Sequence, residues 1–277
     1  MNKKSTLIVA FALFSLFFGA GNLILPPQLG FKSGELWWLV ALGFSLSAVL
    51  IPILGILAHA KLHGTLFDFG KKVSPTFSLI YCYLVYTISI SLPSPRTASV
   101  THEMAIQPLF DSSSWLTSGV YFLLVFIFVM NRSRILDIIG KILTPAMVLV
   151  LVSIIFIAAV TLGAPNGISS FPSPFTHAIL EGYQTFDAIG SVVVGGVIII
   201  SLNLKHPTVG YTEKKQTIAQ AGMLAGLGLF LVYGGLIYAG ALHQNVFDAD
   251  ISRTQLLQSI SLSTLGNIAN AFLTVLV

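Results

Sequence analysis

Two stretches of this chain place groups able to hold ions where a lipid bilayer would otherwise forbid them. The first is Phe17-Phe18-Gly19-Ala20-Gly21-Asn22, in the middle of an apolar run from Leu7 to Leu29. The second is Glu181-Gly182-Tyr183-Gln184-Thr185-Phe186-Asp187, directly ahead of the apolar Val192 to Ile200. Two glycines and an asparagine at mid-span weaken a helix and let its backbone open. Open backbone is tolerated in lipid only where it is buried in protein or lines a cavity. A helix broken there presents carbonyls at the end of one half and free N–H groups at the start of the other. Those groups suit a cation and a carboxylate respectively. The competing reading of Gly19 and Gly21 is a smooth face for packing another helix. In the second stretch, an Asp at a helix centre in hydrocarbon costs ~3 kcal/mol. Its polar residues must therefore face a cavity, a partner or the water boundary.

The elements that position these residues follow from composition. The chain has 277 residues, 55% hydrophobic and only 9% charged, where a soluble domain carries roughly 25% charged residues. It reads as an all-α polytopic membrane protein with no soluble domain beside the helices. Met1 to Lys4 ahead of an apolar run imitates a signal peptide, but the run is too long and no A-x-A-like site follows it. Cys82 is the only cysteine, which excludes an internal disulfide and a cysteine-based metal site. His59 and His63 share a helix face, but Lys61 stands between them instead of a carboxylate, and no metal beyond a possible Na⁺ is expected.

Spans are predicted at about 7–29, 36–58, 75–93, 115–130, 138–162, 178–204 and 218–241, with an eighth beginning near Leu265. With the N-terminus in the cytoplasm, eleven of the 14 basic residues fall inside, leaving Lys32, Arg96 and Arg253 outside. That asymmetry supports the span count and the orientation, and it accounts for the net charge of +4 without a nucleic-acid partner. The outer loop Gly163 to His177 is rich in Gly, Pro and Ser, and Gln244 to Ser263 reads as a short surface helix. The first and sixth spans lie five apart and so enter the membrane from opposite sides. Interruptions at corresponding positions of two inverted halves point to the binding site of a secondary transporter. From Leu265 to Val277 a helix covers about 20 Å of the ~30 Å core. The expectation is a chain that stops inside the bilayer, the product of a truncated gene or an incomplete gene model, and that does not transport alone.

Phe17 to Pro27, Pro95-Arg96-Thr97-Ala98 and Glu181-Gly182-Tyr183-Gln184-Thr185 together resemble, in order and spacing, three signatures of the bacterial branched-chain amino acid:cation symporters. That family is similar to the wider class of five-plus-five inverted-repeat amino acid transporters. The resemblance implies a complete first repeat at 1–162, holding helices 1–5, and the start of a second at 163–277. It also implies leucine, isoleucine and valine as substrates, Na⁺ or H⁺ as coupling ion and no further cofactor. The protein would be multi-pass in the bacterial inner membrane, with lipid around it, and not an enzyme. Ser89-Ile90 stands where the family pattern has Gly-Pro, and Phe186 where Met is usual.

A zwitterionic substrate needs donors for its carboxylate, acceptors for its ammonium and an apolar pocket. The N–H groups of Ala20, Gly21 and Asn22 suit the carboxylate, with Gly19 and Gly21 allowing close approach. Carbonyls near Phe17, Phe18, Tyr183 and Gln184, together with Thr185, suit the ammonium or a cation. Phe18, Tyr183 and Phe186 are candidates for the pocket, although each of the 20 phenylalanines also suits ordinary packing. By resemblance, Asn22 offers its side-chain oxygen to Na⁺; the Phe17 carbonyl and Asp187, able to carry a proton if buried, complete the candidate cation set. Arg96 is read at the outer end of the third span, paired with Glu103, guarding an outer gate or snorkelling to the interface. Glu181 is either a second gate residue or an interfacial acid. An ion channel would need a repeated charged or carbonyl filter, and a membrane enzyme a nucleophile–base or metal constellation; neither pattern is visible. The alternative is an ion channel or a non-transporting membrane protein.

Overall fold

The computed structural model describes residues 3–62, 64–108, 110, 112–130 and 144–266, which are helical apart from turns and loops. The first expected span is split into α1 (Lys3–Phe17) and α2 (Ala20–Ser33). Gly34, at φ 51°, then turns the chain through Gly34–Leu36 into α3 (Trp37–Ser45), a π-helical turn (Leu46–Leu50) and α4 (Ile51–Leu62). The short α5 (Leu66–Gly70) is set by a capping box, Thr65 with Asp68. Next come α6 (Pro75–Ser91) and α7 (Pro93–Thr101), the latter extended by His102–Ile106, and then α8 (Ser114–Met130). The remainder is α9 (Thr144–Thr161), α10 (Pro174–Tyr183), α11 (Asp187–Lys205), α12 (Tyr211–Leu242) and α13 (Arg253–Leu265).

Five stretches are long and apolar enough to cross a membrane: Ala20–Leu62, Pro75–Ile106, Thr144–Thr161, Asp187–Lys205 and Tyr211–Leu242. They correspond to six of the seven expected spans, because Ala20–Leu62 joins the C-terminal half of the first span to the second. The fourth span, α8, is apolar but shorter. α1 and α10 fall below span length because each is one half of a broken helix.

The third span departs from expectation. Its prolines do not end it, because Pro93 occupies the first turn of α7, where the missing N–H was without an intrahelical partner anyway. The helical path continues to Ile106, so Arg96 lies within the span and not at its outer end. The surface helix expected in 244–263 is present as α13, opened by a Ser252–Gln255 capping box. Leu265, expected to start an eighth span, closes α13, and Gly266 at φ 64° is its cap. Arg132, Arg134, Lys141, His63 and the run from 267 to Val277 lie outside the described residues.

α12 is the central post, with α1, α2, α3, α4 and α9 packed around it. Leu229, Tyr233, Leu236 and Ile237 on α12 are fully buried in the main core with Leu13 and Phe17 of α1 and Leu151 of α9. Contact with α2 is backbone to backbone. A Cβ at Gly30 would fall on the Ile237 carbonyl, and one at Gly240 on the Pro27 carbonyl. These glycines hold α2, the second half of the first span, closely against α12. The loop 163–173 is fastened by the Glu35 N–H to the Gly167 carbonyl (3.0 Å) and by Gln244 Nε2 to the Ile168 carbonyl (2.8 Å).

Candidate functional site

The first break is built by Phe18 and Gly19. Phe18 N–H closes the last bond of α1, to Phe14 (2.9 Å), and Gly19 N–H reaches back only to Phe17 (3.1 Å). Gly19 is extended, at φ −98° and ψ −178°, and the first bond of α2 runs from Leu23 N–H to the Gly19 carbonyl (3.2 Å). The N–H groups of Ala20, Gly21 and Asn22 therefore open the second half-helix, at the positive end of its dipole.

The second break spans Gln184 to Phe186. Gln184, Thr185 and Phe186 each donate an N–H three residues back, to Glu181, Gly182 and Tyr183. Phe186 sits at φ 64°, the only non-glycine residue with positive φ among the described residues. For a bulky side chain this is a strained conformation, of a kind found at ligand sites. The Thr185 hydroxyl donates to the Gly182 carbonyl (2.8 Å) and accepts from the Asp187 N–H (3.3 Å). Asp187 is thereby fixed in the first turn of α11, where the helix dipole favours an anion.

The two breaks meet through side chains. The Asn22 amide donates one N–H to the Asp187 carboxylate and the other to the Tyr233 hydroxyl. The amide nitrogen serves both contacts. The Asn22 Oδ1 is then left on the side of Gly19, 3.8 Å from where a Cβ on that residue would sit. All three side chains are buried, and no basic side chain among the described residues forms an ion pair with Asp187.

Arg96 enters the same region from α7. Its Nη1 donates to the Gln184 carbonyl (2.8 Å), and its guanidinium lies 5.5 Å from the centre of the Phe186 ring. A Cβ at Gly21 would lie 3.1 Å from that Nη1. The expected pairing with Glu103 does not form; Glu103 accepts from Ser99 instead (3.2 Å). A cavity of about 240 Å³ opens between these groups, lined by Phe17, Gly19 to Asn22, Arg96, Thr97, and Thr185 to Asp187, with Leu16, Ile88, Ile189, Val193 and Val194 among its apolar walls. A smaller, apolar cavity of about 100 Å³ shares Gly19, Ala20 and Thr97 with it.

Of the residues singled out in the sequence, Phe17, Gly19, Ala20, Gly21, Asn22, Arg96, Thr185, Phe186 and Asp187 are brought together at the larger cavity. Phe18 lines the smaller one and is stacked between Phe14 (5.4 Å) and Tyr233 (5.8 Å). Tyr183 is exposed and stands outside both, while Gln184 contributes its carbonyl to Arg96. Glu181 lies elsewhere, against Arg253 (3.5 Å) and His177 (3.9 Å), with Gln28 and Lys32 in a separate cavity of about 220 Å³. His59 is buried and stacked on Phe69 at 4.9 Å, and no group of three metal-ligating side chains occurs among the described residues. Tyr233 is the residue sequence reasoning missed. Its one signal is a hydroxyl within a long apolar helix, which must find a partner when buried.

Helices long and apolar enough to span a bilayer, two spans broken at a shared buried polar cluster, fit a polytopic membrane protein with an internal site. Comparison with known proteins adds the family: residues 2–277 match the model described as branched-chain amino acid transport protein, and the chain belongs to that family. A Staphylococcus epidermidis protein provisionally named a branched-chain amino acid carrier is 36% identical over 253 residues, covering 86% of this chain and 56% of its own length. Similarly named proteins of Staphylococcus saprophyticus and Staphylococcus aureus are 34% and 33% identical, over 86% and 91% of this chain and 56% and 58% of theirs. The chain thus spans somewhat over half the length of these curated relatives. No solved structure matches it.

Proposed function

We propose that this chain carries the substrate and ion site of a cation-coupled importer of branched-chain amino acids, a symporter of five-plus-five inverted-repeat design in the bacterial inner membrane. In this reading 1–162 is the first repeat, 163–277 begins the second, and the N-terminus is cytoplasmic. The single observation that carries the proposal is the buried Asn22–Asp187–Tyr233 cluster at the junction of the two broken helices. A buried carboxylate without a charged partner is costly, and a monovalent cation is the compensation a transporter supplies. The Asn22 Oδ1 and Asp187 supply hard oxygen ligands for Na⁺, and Asp187 alone suffices for H⁺. The N–H groups of Ala20 to Asn22, reinforced by Arg96, receive the substrate carboxylate.

Binding of radiolabelled leucine to the purified chain in lipid nanodiscs, at fixed pH with Na⁺ exchanged for choline and then across pH without Na⁺, tests the reading. The expected result is saturable binding, competed by isoleucine and valine, whose affinity rises with one of the two cations. Affinity indifferent to both cations, or no binding of any branched-chain amino acid, contradicts it.

A further inference from the structure

The larger cavity holds the groups that suit the polar end of an amino acid, beside apolar walls from Leu16, Ile88, Ile189, Val193 and Val194. Arg96, Asn22, Thr185 and Asp187 all face it, and Tyr183, one of three aromatics with the right chemistry for a pocket, is exposed elsewhere. The second cavity has the complementary character. Its walls are Phe18 and Leu23 from the first span and Met147 and Leu151 from α9, closed by Gly19, Ala20 and Thr97. The last three also border the larger cavity, so the two spaces flank the first break.

Resting on the function proposed above, we propose that this apolar cavity is the side-chain subsite and that Met147 and Leu151 set the substrate's size. The amino acid then straddles the Gly19–Ala20 rim. Its carboxylate meets the N–H groups of α2 beside Arg96, its ammonium faces the Asp187 side, and its side chain enters between α2 and α9. Glycine at 19 keeps that rim low; a Cβ there would point toward Asn22.

Size decides the ligand class. An apolar cavity of about 150 Å³ takes up benzene. A cavity of about 100 Å³ is smaller, matching the three- and four-carbon branched groups of valine, leucine and isoleucine and excluding a benzyl group. Among the side chains of its walls only Thr97 is polar, and its hydroxyl already donates to the Pro93 carbonyl (3.1 Å). Met147 is unbranched and flexible, which lets one pocket adapt to the different branching of leucine and isoleucine.

The test is competition against radiolabelled leucine by alanine, valine, leucine and phenylalanine, on the wild-type chain in nanodiscs and on Leu151→Ala, Met147→Ala and Leu151→Phe. Removing atoms from either wall should improve phenylalanine as a competitor at least about tenfold relative to leucine, the scale on which an apolar pocket senses a methylene. Leu151→Phe, read with labelled alanine where leucine no longer binds, should weaken leucine about tenfold or more and leave alanine within about twofold. If Leu151→Phe does not elute as a monodisperse species, the two truncations carry the test, since both only remove atoms. A wild-type chain that binds no branched-chain amino acid overturns the function reading and the subsite with it. A wild-type chain that binds leucine, with variants that keep the wild-type size ranking or weaken every competitor alike, overturns the subsite alone.

Discussion

Asn22 and Tyr233, 211 residues apart in sequence, are joined by a buried hydrogen bond from the Asn22 amide to the Tyr233 hydroxyl. The bond ties the break in the first span to the central α12. The other N–H of the same amide goes to Asp187 on α11. Three helices thus converge on one amide, and any shift of α11 relative to α12 must be accommodated at Asn22.

Tyr233→Phe keeps the ring between Phe18 and Phe44 but leaves one buried Asn22 N–H without an acceptor. The expected cost is ~1–3 kcal/mol of stability, read as a lower melting temperature in nanodiscs. The cation dependence of leucine binding should weaken as Asn22 loses its fixed orientation. Unchanged melting and unchanged cation dependence together would show that the hydroxyl holds nothing in place.

Asn22→Ala removes both donors and the remaining oxygen. Its effect on cation dependence should exceed that of Tyr233→Phe, because Asp187 loses its amide partner and the ion loses a ligand. Titrating Na⁺ and pH against leucine affinity in both variants gives the ranking, and the reverse order would count against a ligand role for Asn22.

Two glycines should respond in opposite ways. Gly21→Leu places a side chain against Arg96 and over the N–H groups of α2, so leucine binding should disappear while membrane insertion and melting temperature change little. At Gly240 a Cβ would fall on the Pro27 carbonyl, and Gly240→Ala should destabilise by ~1–3 kcal/mol, as overpacking does. A Gly21→Leu variant that binds leucine at wild-type affinity would make the first break a packing feature only.

His243, just beyond the end of α12, provides a pH test. Burial pushes its imidazole pKa below the ordinary 6.5, against the smaller opposing effect of the hydrogen bond from its ring to the Ala239 carbonyl. The unfolded chain therefore takes up a proton near pH 6.5 that the folded chain does not. Stability is full above that pH and falls as pH drops from 6.5 toward the lower folded value. Thermal melts between pH 8 and 5, read at about half-unit steps, should show this slope, and His243→Gln should flatten it. An equal slope in the variant would place the titration elsewhere.

The breaks themselves were legible because Gly19-Ala20-Gly21-Asn22 and the run Glu181 to Asp187 violate what lipid permits, and such violations need no tertiary knowledge. Arg96 was legible as a residue of interest but misplaced, since Pro93 and Pro95 read as a terminator until the chain is seen to restart its helix at Pro93. Tyr233 was invisible because an aromatic in an apolar helix looks the same whether it packs or holds an amide; only the fold brings its hydroxyl to Asn22. Met147 and Leu151 were hidden for the same reason, being ordinary apolar residues until α9 is placed across from Gly19.

The most direct test of the central claim is leucine affinity of Asp187→Asn measured with and without Na⁺ and across pH, beside the wild-type chain. The substitution keeps the shape at the first turn of α11 and removes the charge that calls for a cation. The account predicts leucine binding whose affinity no longer responds to either cation. An Asp187→Asn chain that shows the wild-type cation response would contradict it.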